Sequence, residues 1–168
     1  MALALNTNSY AEVADASTYF ETRIDAASWD TAATATREDA LVTATQLIDN
    51  NPWIGSAVSS SQALAWPRKN VIYFDDRMGQ SITIANNVIP NVVKVAVYEQ
   101  ALHLLNNEDL LAQTVQTFES ISVGNISLSD TNNDVTRISI SPNIVMKPLR
   151  PLIRKGVSGM GTSWWRSN

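Results

Sequence analysis

A chain of 168 residues, 45% hydrophobic and 17% charged, is long enough to bury one sizeable core and too apolar to stay disordered throughout. It has no cysteine, which excludes disulfides, thiolate zinc sites, iron–sulfur clusters and cysteine nucleophiles. The net charge of −4 conceals a split: all 16 acidic residues lie at or before Asp134 beside six basic ones, a net of −10, while the other six basic residues follow it, a net of +6. Such a basic end meets something negative, whether nucleic acid, an acidic partner or a neighbouring copy.

Ser9 and Glu12 have capping-box spacing, and Val13, Ala16, Phe20 and Ile24 recur at helical intervals. This predicts a first helix near residues 10–24, with Trp29 packed in the loop after it. A second helix has Thr36 as its cap and an apolar stripe of Ala40, Leu41, Ala44, Leu47 and Ile48 up to Asp49. Residues 50–70 are rich in turn formers and read as a long loop, in which Trp53, Trp66, Pro67 and Arg68 either pin it onto the helices or contact a partner. VIYFDDRMGQSITI predicts a hairpin near residues 71–84. Pro90 then opens the clearest helix, with Val93, Ala96, Val97, Ala101, Leu104 and Leu105 on one face and a short continuation through EDLLAQTV. Residues 117–140 change to period two and predict a second hairpin about DTNND, with a bulge at Gly124-Asn125. A last short helix starts at Ser141-Pro142 and is cut by Pro148 and Pro151. The elements so read are mainly α with hairpins in residues 1–155, followed by an extended Gly/Ser-rich tail, residues 156–168.

Chemistry is scarce. The one histidine, His103, lies between Leu102 and Leu104 in the middle of the clearest helix, a place for a helix-face side chain more than for a catalytic base. Asp130, Asn132 and Asp134 match a calcium loop, but Val135 stands at the turn glycine and Ser141 at the bidentate glutamate. The pairs Glu38-Asp39, Asp75-Asp76 and Glu108-Asp109 are adjacent residues, which diverge into solvent instead of facing each other across a substrate. No catalytic residue, cofactor or metal is therefore expected, and the protein reads as a non-enzyme. No run approaches the roughly 18 apolar residues of a membrane span, and MALALNTNSY lacks a basic signal start. Tryptophan beside arginine is a combination that holds single strands, whereas an acidic body argues against phosphate binding on that body.

Five segments, NSYAEVADASTYFETR, REDALVTATQLID, QALAWPR, IPNVVKVAVYEQALHLL and ESISVGNISLSD, resemble in order the head–tail connector proteins of tailed bacteriophages, a family that also carries the label DnaT-like single-strand-binding. The resemblance spans about residues 8–150, with LAWPR followed by IPxxV the most telling. It implies a mainly α fold, a small helical bundle with a protruding β-hairpin, in a virion structural protein at the neck, in the host cytoplasm before assembly. Its copies would form a ring of about twelve beneath the portal, extend the channel for packaged double-stranded DNA and offer a platform to tail or neck proteins. On that reading Trp164, Trp165 and Arg166, with Arg150, Arg154 and Lys155, contact the portal or a neighbouring subunit. The alternative is a single-stranded-DNA-binding accessory protein of phage replication.

Overall fold

The computed structural model describes residues 2–107, 120–123, 126–129 and 141–154. Among the described residues, five helices, α1 (Val13–Phe20), α2 (Ala27–Thr31), α3 (Thr34–Asp49), α4 (Asn91–Asn106) and α5 (Asn143–Leu149), carry three two-stranded antiparallel sheets. The strands are β1 (Ser56–Ala57) with β2 (Arg68–Lys69), β3 (Val71–Asp75) with β4 (Gln80–Ile84), and β5 (Ser120–Val123) with β6 (Ile126–Ser129). The mainly helical class with β-hairpins expected from the sequence is the one observed.

Helix α4 is the axis of the core. Val93, Ala96, Val97, Tyr98, Glu99, Gln100, Ala101 and Leu102 are consecutive or nearly so and all buried, because α2, α3 and α5 each pack on it. A helix covered on most sides loses the single stripe that marks a surface helix. Helix α3 supplies Leu41, Ala44 and Ile48, and α5 supplies Val145 and Leu149, all completely buried. Pro148 lies inside α5 and the chain continues to Leu149, then into a 3-10 turn, Arg150–Leu152.

The first helix is shorter than its periodicity predicts. Ser9 Oγ donates to Ala11 O at 2.7 Å and accepts from Ala11 N at 3.2 Å, so it serves its own turn and caps nothing. Helix α1 stops at Phe20, and residues 21–26 turn so that Arg23 pairs with Asp25 at 2.8 Å and with buried Glu99, which leaves Ile24 in solvent. Trp29 lies not in a loop but in α2, where its ring packs 5.1 Å from Phe20 and beneath the Arg37 guanidinium. In the β5–β6 pair, Val123 faces Ile126. The two segments on either side of the expected bulge therefore pair with each other as antiparallel strands, and Gly124-Asn125 lie outside the described residues. The tip DTNND, the expected second arm beyond it, the calcium-loop match up to residue 140, the continuation EDLLAQTV and the tail 156–168 lie outside the described residues.

Two buried phenols make the fold sensitive to alkali. Burial, aided by Asp15, pushes Tyr98 up to about 12, and burial followed by the Asp49 carboxylate pushes Tyr10 above its ordinary range. Both favour the neutral phenol in the folded chain, so their stabilisation is complete below about pH 10, where unfolded tyrosine ionises, and declines as pH rises above it. The Tyr98 contribution is lost as pH rises from about 10 through about 12. Urea midpoints measured across that window should fall steeply; a flat profile would contradict the burial of both rings.

Candidate nucleic-acid interface

The long loop after α3 is held by polar groups that its composition conceals. Asp49 Oδ1 accepts the Tyr10 hydroxyl proton and the Ala65 amide, the latter at 2.8 Å. The Tyr10 oxygen in turn accepts the Trp66 amide at 3.0 Å. Trp53 donates its indole N–H to Asp49 O at 3.2 Å. Trp53 and Trp66 are both buried, edge to face with ring centroids 5.6 Å apart, and the Trp66–Pro67 peptide bond is cis. Arg68 spends its guanidinium on three backbone carbonyls, Ile54 O at 2.8 Å, Gly55 O at 2.9 Å and Ala65 O at 3.2 Å. Gly55 has φ +71°, and a Cβ there would stand 2.5 Å from Lys69 O, so only glycine lets β1 approach β2.

This loop is also tied to the end of the described chain. Ile54 N donates to Leu152 O at 2.9 Å and Arg154 N to Pro52 O at 2.7 Å, with a bridge between Trp53 and Ile153. Residues 150–154 are thereby laid beside the β3–β4 hairpin.

Strand β3 alternates. Val71 is buried and Tyr73 half-buried on the face toward the core, while Ile72 and Phe74 on the other face are 59% and 56% exposed. Their cross-strand partners, Thr83 and Ser81, are exposed and small. Asp75 closes the turn, accepting the Arg77 amide at 2.9 Å on its side chain and the Gly79 amide at 2.8 Å on its carbonyl. Between hairpin and terminal segment runs an open groove of about 640 Å³, lined by Ile54, Ile72, Tyr73, Phe74, Asp76, Arg150, Pro151, Ile153 and Arg154. A smaller recess of about 320 Å³ continues it past Arg77, Ile84, Pro90 and Pro148.

Among the described residues no ion pair engages Arg150 or Arg154. Burial foremost, with the like charge of Arg154 adding to it, holds the Arg68 guanidinium below its ordinary value. Arg68 is thus a structural cation behind the groove, and Arg150 and Arg154 are exposed cations in it. An exposed aromatic face beside unpaired arginines is the chemistry that holds a single strand: bases stack, and phosphates meet charge.

Of the site residues expected from sequence, the structure brings Arg150 and Arg154 into this groove and places Trp53, Trp66 and Arg68 behind it, with Pro67 half-buried beside them. Lys155, Trp164, Trp165 and Arg166 lie outside the described residues. Sequence reasoning missed Ile72 and Phe74. The signal was present, since Val-Ile-Tyr-Phe is apolar on both faces of a hairpin that has only one face toward the core. Among the described residues no three His, Asp or Glu side chains gather as a metal site, and no helix is long and apolar enough to cross a membrane.

The described geometry is that of a small helical domain with an aromatic, arginine-lined groove. A protein-family model described as "Putative DnaT-like ssDNA binding protein" matches residues 2–166, and the chain belongs to that family. No curated protein and no solved structure matches it. The match overturns the expectation of a head–tail connector. A twelve-copy ring, a portal, tail or neck partner and a conduit for packaged double-stranded DNA have no counterpart in a family described by single-stranded DNA. The physical reason for the error is the charge argument: a net of −10 summed along residues 1–134 says nothing of the face on which the basic segment 150–154 is laid.

Proposed function

We propose that this chain binds single-stranded DNA, as an accessory protein of DNA replication that acts by binding and not by catalysis. The observation that carries the reading is the groove whose lining includes exposed Phe74 and Ile72 together with Arg150 and Arg154; the family's description supports it. An unstacked base lies on the Phe74 ring, and the phosphates run along the arginine side, away from the Asp76 carboxylate. Duplex DNA keeps its bases stacked on each other and gives Phe74 nothing to hold, so single strands are preferred. Recognition through ring faces and backbone charge is tolerant of sequence.

The test is the affinity for a thymidine oligonucleotide measured across a range of salt. Two arginines on two phosphates contribute about −1.4 to the slope of log K against log salt, about 0.7 for each phosphate on a single strand. Arg150→Ala and Arg154→Ala should each flatten the slope by about 0.7 and weaken binding evenly across sequences. Affinity indifferent to both substitutions would sink the reading.

A further inference from the structure

We infer that the recess continuing the groove past Phe74 takes one base of the bound strand, and that Asp76 and Arg77, exposed on its lining, select guanine there. The inference rests on the single-strand reading above and deepens it. Stacking on a ring and charge on phosphates are tolerant of sequence; the recess adds a choice at one position.

Shape is the first argument. The recess of about 320 Å³ shares Tyr73, Phe74, Asp76 and Pro151 with the groove and so opens from it. Its volume lies at the lower end of the range of about 300–1,000 Å³ for small-ligand sites, which suits a single base. Tyr73, Ile84 and Val92, packed against the core, and buried Leu152 give it an apolar floor. Pro90, Pro148 and Pro151 line it as well, and proline has no backbone N–H to offer a phosphate. Polarity is the second argument. Among the described residues no hydrogen bond or ion pair engages the Asp76 carboxylate, whereas Asp75 beside it is spent on the turn, accepting the Arg77 amide at 2.9 Å. The Arg77 guanidinium reaches Asp75 only at 3.7 Å with its side chain 88% exposed, a surface pair of little strength that a ligand can displace. A carboxylate repels the phosphates that Arg150 and Arg154 attract, and it accepts hydrogen bonds without donating any. The part of a strand that it can hold is a base edge rich in N–H. Guanine has that edge: N1–H and the N2 amino group are adjacent donors that meet both oxygens of one carboxylate, while O6 beside them accepts from a guanidinium. Adenine and cytosine set one amino group beside a ring nitrogen whose lone pair faces the second carboxylate oxygen. Thymine sets one N–H between two carbonyls.

The test compares the affinity of the full chain for three oligonucleotides of about eight nucleotides, within known single-strand site sizes. One is all thymidine, one has a single guanine at its centre, and one has hypoxanthine there, which keeps N1–H and O6 and lacks the N2 amino group. Wild type should bind the guanine strand about fivefold or more tighter than the thymidine strand, at the lower end of what one bidentate base contact contributes. The hypoxanthine strand should fall between them. Asp76→Asn keeps the size of the side chain and puts an amino group where an acceptor stood. It should abolish the preference for guanine and keep or raise the affinity for the thymidine strand, since a negative charge has gone. Asp76 is exposed in the hairpin turn, and the retained thymidine affinity reports that the variant is folded. The inference falls if wild type binds the guanine and thymidine strands equally, or if hypoxanthine serves as well as guanine. It falls too if Asp76→Asn keeps the preference or loses the thymidine strand. A chain without preference whose thymidine affinity still depends on Arg150 and Arg154 overturns this inference and leaves the groove standing; a wild-type chain that binds no single strand overturns both.

Discussion

Trp66→Ala should destabilise the protein by about 3–5 kcal/mol, the range for removing a large aromatic side chain from a core. Trp66 is 2% exposed, edge to face with Trp53, and its amide is the donor that anchors the loop to Tyr10. The cavity left by its ring borders Trp53, which bridges Ile153, and so the loss reaches the segment that forms one wall of the groove. Denaturant unfolding gives the magnitude, and in a chain of this size the melting temperature should drop by roughly 10 °C. A loss below about 1 kcal/mol would mean that the loop is held elsewhere, by Arg68 and Asp49.

Phe74→Ala should do the reverse, leaving stability within about 0.5 kcal/mol of wild type while lowering affinity for single-stranded DNA roughly 5- to 100-fold. More than half of this side chain faces solvent on the outer surface of β3, opposite Ser81, so its removal opens no cavity. What it removes is the ring on which, in the proposed function, a base lies. Phe74→Tyr keeps the π-face and should retain most of the affinity. Equal losses in both variants would point to packing of the hairpin and away from stacking.

The sequence made some of this legible and hid the rest for physical reasons. Helices α3 and α4 and the β3–β4 hairpin were readable because each has a dominant period and clear stops, such as Asn-Asn-Pro-Trp after Asp49 and Pro90 before α4. Helix α2 was not. Five residues are too few for a period, and its existence depends on Trp29 reaching Phe20 and Arg37. The end of α1 was misplaced because Ile24 fits the stripe, whereas the chain there obeys the pull of Glu99 and Asp25 on Arg23. Five short motifs carried the family, but they carried with them a setting, the phage neck, that the family match does not support. The groove was invisible because Ile54, Phe74 and Arg150 have no local signal in common; backbone bonds from Pro52 and Ile54 bring them together.

Those backbone bonds have a consequence for when the protein becomes competent. The pairing of Pro52 and Ile54 with Arg154 and Leu152 closes a loop of roughly a hundred residues, a separation at which chain entropy opposes contact until much of the intervening chain is already collapsed. Synthesis and folding therefore complete the hairpin well before its opposite wall arrives. A chain released early, or frayed at residues 150–154, keeps Phe74 on its surface without Arg150 and Arg154 beside it, so the groove exists only once the last described turn of the chain has docked.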